Sequence, residues 1–216
     1  MSAGAHSELH PAALASGRLG LYGGSFDPPH AGHLYVADQA ARAFGLDHVV
    51  FAPAARPPHK PDRQLASGQD RCALLALLLE GRSDRSVWSL ELERSGPSYT
   101  IDSVRALREQ VAEEAQLFLL LGADNLSGLA GWKDVEELLE LVQPIVCVRS
   151  DSTLDPPGLR ALSPRGREKL DRGRLVVEPF DVSSSELRAA LAAGRDPGPG
   201  LPPKLAEYLR AHDIYR

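Results

Sequence analysis

The stretch LGLYGGSFDPPHAGHLYVADQAARAFG, residues 19–45, opens as a short apolar segment and breaks at Gly23-Gly24. From His30 to Phe44 it then places apolar and small residues at helical spacing, up to the stop signal Gly45. The pattern predicts strand, loop, helix. In that arrangement backbone N–H groups and the positive helix end face the crevice beyond the strand, which is a phosphate-binding geometry. Gly23 and Gly24 let the chain turn sharply and let a ligand approach the main chain. His30 and His33, three apart, share one helix face, and two imidazoles there can donate hydrogen bonds to phosphate oxygens and stabilise developing charge. Taken singly, paired glycines also mark a plain turn, and a histidine also serves packing or the surface. A zinc reading is poorer, because HExxH and a third ligand are both missing. GxGxxG, GxxxxGK[ST] and GxSxG are absent too, so the usual dehydrogenase, P-loop and α/β-hydrolase labels do not fit.

Outward from that stretch the same alternation continues. Val49–Ala52 reads as a strand followed by an extended loop rich in proline (Pro53, Pro57, Pro58, Pro61), and Ser67–Glu80 as a helix. Val87–Leu92 reads as a strand, Thr100–Glu114 as a helix, and Gln116–Leu121 as a strand buried on both faces. A helix over Asp134–Leu141, strands at Ile145–Val148 and Leu175–Val177, and a helix over Ser184–Ala193 complete the order. About six strands alternating with helices predict an α/β fold with a doubly wound, mostly parallel sheet, with ligands at the carboxyl ends of the strands where the order reverses. Residues 18–216 are expected to form one domain, residues 1–17 a loose flexible tail, and Ser150–Arg174, rich in Pro, Asp and Arg, an excursion from the sheet.

Composition narrows the function. With 216 residues, 43% hydrophobic and 25% charged, the chain has the make-up of an ordinary globular domain. Its 24 basic and 29 acidic residues leave a formal charge of −5, without the positive field that binding to nucleic acid requires. Cys72 and Cys147 are too few for a disulfide framework or a cysteine zinc site and read as buried thiols of a cytoplasmic protein. The first 17 residues lack the basic start of a signal peptide, and Cys72–Leu79 is far short of the roughly 20 residues that span a bilayer, so no membrane segment is expected.

A second anion site is legible in VSSSELR, residues 182–188. Ser183 with Glu186 forms a capping box, while Ser184, Ser185 and Arg188 bring hydroxyls and a guanidinium to the same helix start. Two helix N-termini facing one sheet edge suggest a ligand with several phosphates between them.

These residues resemble the HxGH nucleotidyltransferases, here His30-Ala31-Gly32-His33, paired with an SSTxxR-like motif, here Ser183 to Arg188. Ser185 stands where that family usually has threonine, which keeps the hydroxyl. Pro57-Pro58-His59-Lys60, Gln69-Asp70-Arg71, Ser98-Tyr99-Thr100, Gly122-Ala123-Asp124, Trp132 and Ile214-Tyr215-Arg216 resemble the bacterial nicotinate-nucleotide adenylyltransferase branch. The resemblance implies a Rossmann-like fold and transfer of AMP from ATP to nicotinate mononucleotide, giving deamido-NAD and pyrophosphate by direct in-line attack. It implies that His30, His33 and Arg188 act on the ATP phosphates, with Mg²⁺ bound through those phosphates rather than by the protein. Gly23, Gly24, Ser25, Phe26, Gly32, Gly122, Asp124, Ser184 and Ser185 would complete the ATP site. Lys60, Tyr99, Thr100 and Trp132 would bind nicotinate mononucleotide. On their own, Asp124 also reads as a helix cap, Trp132 and Tyr99 as packing aromatics, and Lys60 as a solvated charge. Rival readings are the same chemistry on nicotinamide mononucleotide or another phosphorylated acceptor, and an ATP-binding sensor without turnover, against which His30, His33 and Arg188 count. Whether the chain forms a homo-oligomer is left open.

Overall fold

The structure, a computed structural model, describes residues 8–56, 65–148, 157–178 and 180–216. Six strands form one sheet: β1 (Arg18–Gly24), β2 (His48–Pro53), β3 (Arg85–Val87), β4 (Gln116–Gly122), β5 (Gln143–Val148) and β6 (Arg174–Val176). Their spatial order is β3-β2-β1-β4-β5-β6, and every pairing is parallel. The direction of winding reverses between β1 and β4, which opens a crevice beyond their carboxyl ends. The doubly wound reading holds.

Burial explains why the strands read as continuous apolar runs. Leu19 and Leu21 of β1, Val50 and Ala52 of β2, Leu117, Leu119 and Leu121 of β4, and Val146 and Val148 of β5 fill the core on one face. The residues between them, Val49 and Phe51, Phe118 and Leu120, Ile145 and Cys147, fill the core on the other. The helices α2 (Ala31–Phe44) and α3 (Gly68–Leu78) cover this second face, while α5 (Thr100–Arg108) and α6 (Val135–Leu141) cover the first. Apolar burial on both faces is the dominant stabilising term for such a sheet.

Several expected boundaries are corrected. The expected strand Val87–Leu92 stops at Val87 and continues as α4 (Leu90–Glu93). Its alternating pattern comes instead from fully buried Trp88 and from Glu91, a buried carboxylate that accepts the Ser103 hydroxyl at 2.8 Å. The helix expected to reach Glu114 ends at Arg108, whose guanidinium donates to the carbonyls of Ala112 and Ala115 and closes the turn. The tail is no loose segment from Leu9 onward: α1 (Pro11–Leu14) buries Ala13, and Leu9 and Ala13 join the first core.

The expected excursion is a crossover. Its described part carries a 3₁₀ segment, Pro157–Ala161, and α7 (Pro164–Arg172), with Leu159, Leu162 and Leu170 buried in the first core. Lys169 Nζ donates to the carbonyls of Leu139, Glu140 and Val142 at 2.5–3.1 Å, capping the end of α6. Two last helices, α8 (Ser184–Ala192) and α9 (Pro203–Ala211), pack on α3 around Leu74, Leu187, Leu205 and Leu209. No helix among the described residues is long and apolar enough to cross a membrane.

Candidate active site

Beyond the carboxyl ends of β1 and β4 lies a cleft of about 920 Å³. Gly23, Gly24, Ser25, Phe26, His30, Gly32, His33, Tyr99, Thr100, Gly122, Asp124, Trp132, Ser184 and Ser185 all line it, so most residues singled out from the sequence meet in one place. Arg188 stands beside it rather than in its lining, and Lys60 lies outside the described residues.

The first wall is the loop from β1 into α2. A Cβ on Gly23 would meet no protein atom within 4 Å, so the main chain there is open to a ligand. Phe26 takes a left-handed φ of 48°, which tucks its ring under the site, edge-on to Tyr22 at 5.5 Å and to His33 at 5.0 Å. The imidazoles of His30 and His33 lie 3.8 Å apart between centroids. Gly32 permits this, because a Cβ there would press on the His30 ring and on Val182 at 3.0 Å. His33 Nδ1 accepts the His30 backbone N–H at 3.2 Å. Burial lowers the His30 pKa to about 4, and burial together with His30 holds His33 well below its ordinary value. Both rings are therefore neutral at pH 7, and His33, with Nδ1 accepting, carries its proton on Nε2. His30 Nδ1 is buried without a hydrogen-bond partner.

The start of α2 offers fewer amides than the sequence suggests. The Ala31 N–H is taken by the Gly200 carbonyl at 3.0 Å and the His33 N–H by the His30 carbonyl, leaving that of Gly32. The start of α8 is capped as expected: Ser183 Oγ accepts the Glu186 N–H at 3.2 Å and donates to the Glu186 carboxylate at 2.8 Å. Two bonds tie this helix to the histidine loop. Ser184 Oγ donates to the Pro28 carbonyl at 2.9 Å, and Arg188 Nη1 to the Asp27 carbonyl at 2.6 Å. Two helix starts so far apart in sequence thus meet on one cleft.

On the opposite side, Tyr99 and Thr100 start α5, and Trp132 ends a 3₁₀ segment, Ala123–Gly131, that follows β4. The N-cap residue of α5, Tyr99, makes no side-chain cap hydrogen bond. Lys133 joins the two loops: its ammonium bonds both Asp102 oxygens at 3.0 Å and lies 5.0 Å from the centre of the Tyr99 ring. Trp132 is half-buried and packs against the first core, so it has a packing role as well as a face on the cleft.

Sequence reasoning assigned no role to Arg71, Asp27 or Tyr22. Arg71 is 2% exposed, and its guanidinium donates to the carbonyls of Ser25, Ala54 and Ala66 at 2.8–3.0 Å, pinning the loops after β1 and β2 together. An arginine inside an apolar helical stretch was the available signal, since a buried guanidinium requires acceptors. Tyr22 lines the cleft floor beside the His33 ring.

A family model described as cytidylyltransferase-like matches residues 21–190. The chain belongs to the cytidylyltransferase-like family. Within that family it groups with proteins named as nicotinate-nucleotide adenylyltransferases. One from Pseudomonas putida (strain GB-1), named a probable nicotinate-nucleotide adenylyltransferase, is 39% identical, covering 94% of this chain and 97% of its own length. A protein of the same name from Salinibacter ruber (strain DSM 13855 / M31) is 37% identical over 92% of this chain and 97% of that one. The fold of this cytidylyltransferase-like chain is similar to Plasmodium falciparum nicotinic acid mononucleotide adenylyltransferase complexed with NaAD. That match has a TM-score of 0.69 at 19% identity and covers 92% of this chain and 97% of that one.

Proposed function

We propose that this enzyme transfers AMP from ATP to nicotinate mononucleotide in the cytoplasm, forming deamido-NAD and pyrophosphate. A phosphate oxygen of the mononucleotide attacks the α-phosphorus of ATP, the bond from that phosphorus to the bridging oxygen breaks, and pyrophosphate leaves with the electron pair. Such a displacement asks the protein for positioning and for charge stabilisation, not for a covalent intermediate. The substrate is taken as MgATP, whose Mg²⁺ would be held through the ATP phosphates rather than by side chains of the protein.

His33 Nε2–H and His30 serve the α-phosphoryl group and the leaving pyrophosphate. Ser184, Ser185 and Arg188 hold the β- and γ-phosphates, and the loop from Gly23 to Phe26, with Gly32, Gly122 and Asp124, holds the nucleoside end and α-phosphate. Trp132 stacks on the pyridine ring, and Tyr99 and Thr100 frame the nicotinate carboxylate at the start of α5. Lys60 is assigned to the mononucleotide phosphate on the resemblance alone. The observation that supports this reading is the pair of bonds from Ser184 to Pro28 and from Arg188 to Asp27, which bring both helix starts to the sheet's switch point. The start of α5, where the N-cap residue Tyr99 makes no side-chain cap bond, presents the positive end of a helix, which favours an anionic carboxylate over a neutral carboxamide.

The test is pyrophosphate release from MgATP with nicotinate mononucleotide, nicotinamide mononucleotide or phosphopantetheine supplied in parallel. Strong preference for the acid mononucleotide is expected. Preference for another acceptor would discard the roles of Tyr99, Thr100 and Trp132, and ATP binding without turnover on any acceptor would replace the enzyme by a sensor.

A further inference from the structure

Asp27 is fully buried between Phe26 and the histidine loop. Its Oδ1 accepts the Ala66 N–H at 3.0 Å and the hydroxyl of Tyr215, while its Oδ2 stands 3.7 Å from Arg188 Nη1. The same guanidinium reaches the Asp27 carbonyl at 2.6 Å and, through Nη2, Ser185 Oγ at 3.2 Å. The arginine fork is thus aimed by Asp27 on one side and by Ser185 on the other. Tyr215, beyond α9, holds a left-handed φ of 66°, which a bulky aromatic adopts only where its surroundings fix it. Its ring and Ile214 pack on the cluster around Leu74 and Leu205. Burial and the bond to Asp27 push its pKa upward, so the phenol is a donor at every working pH.

We propose that Tyr215 is a positioning residue for adenylyl transfer: acting through Asp27, it fixes the Arg188 guanidinium for the terminal phosphates of ATP without touching the substrate. This rests on the reading of Arg188 as a phosphate-binding residue. Removing the hydroxyl withdraws a donor from Oδ1, and a buried carboxylate short of a donor draws its neighbouring cation inward. Arg188 then turns toward Asp27 and away from Ser185, and the grip on ATP weakens.

The experiment uses the full chain with Tyr215→Phe, Arg188→Ala and both together. Tyr215→Phe is expected to raise the KM for ATP about three- to tenfold, a fraction of what one direct bond to a charged group contributes. The acceptor KM should stay near wild type, and the melting temperature should fall by roughly 2–10 °C, the cost of one buried donor. Calorimetric ATP binding without acceptor should weaken by the same factor, and the double variant should bind ATP no worse than Arg188→Ala alone. An unchanged ATP KM, equal rises in both KM values, a variant that fails to fold, or additive losses in the double variant would each overturn the proposal. If Arg188→Ala itself binds ATP normally, the phosphate reading of Arg188 falls first, and that result is distinct from a failure confined to Tyr215→Phe.

Discussion

Replacing Arg71 by Met tests whether the edge of the sheet is held by a single buried cation. The guanidinium makes hydrogen bonds at 2.8 Å to the carbonyls of Ser25 and Ala54 and at 3.0 Å to that of Ala66. Methionine fills much of the volume but donates nothing, so one buried and two part-buried carbonyls lose a donor at about 1–3 kcal/mol each. The new side chain returns roughly 1–2 kcal/mol by burying apolar atoms and removes the cost of desolvating a charge. A net loss of about 3–5 kcal/mol follows, which for a domain of this size lowers the melting temperature by roughly 6–20 °C. Urea unfolding followed by far-UV circular dichroism measures the free energy directly. Because Ser25 belongs to the loop proposed to hold the nucleotide, the ATP KM of whatever variant folds should rise more than the acceptor KM. A stability loss below about 1 kcal/mol would refute the reasoning, since it would mean that water or main-chain groups satisfy those carbonyls as well as the guanidinium does.

His33→Ala should lower kcat by roughly two or more orders of magnitude, the cost of losing one transition-state donor; unchanged turnover in a steady-state pyrophosphate assay would remove His33 from its role. Trp132→Ala should raise the mononucleotide KM about tenfold or more with kcat little altered, because stacking is present in the ground state too, and a fall in kcat at constant KM would contradict that. Acid should destabilise the fold through His30 and His48, both lowered to about 4 by burial. The unfolded chain, with ordinary values near 6.5, takes up protons first, so the stability these rings contribute is complete above about pH 6.5 and is lost as pH falls through 4. Urea midpoints that stay flat from pH 7.5 to 4.5 would contradict it.

The sheet was legible because its physics is local: strands buried on both faces must be apolar at every position, and Leu117–Leu121 and Val49–Ala52 are. The histidine loop was legible because two glycines and two histidines occupy a junction whose type the flanking periods already set. Segments whose patterns admit two structures were misread. Val87–Leu92 alternates like a strand, yet its polar positions include Glu91, buried on Ser103, which no period reveals. The stretch from the 3₁₀ segment through α7 is so charged that its composition suggests an excursion, and three leucines, Leu159, Leu162 and Leu170, suffice to dock it. Arg71 stayed without a role because its partners are main-chain carbonyls, which leave no mark in the sequence, and Asp27 because its side-chain partners, Tyr215 and Arg188, lie at the far end of the chain.

Fixed and adjustable charge are placed differently around the cleft. Arg188 sits beside it, bonded to Asp27 and Ser185. Inside, the two imidazoles lie 3.8 Å apart and are kept neutral by burial. A permanent cation attracts the phosphates of ATP and of the products alike, so its contribution falls on binding and on KM. A neutral N–H donor holds ground-state phosphate only modestly, but its bond strengthens as charge builds on the bridging oxygen, and a proton can follow that charge. In the proposed roles, the burial that makes these histidines poor cations in the free enzyme is thus what would confine their contribution to kcat. On this division, losses at Arg188, Asp27 and Tyr215 belong in the ATP KM, and losses at His33 belong in turnover.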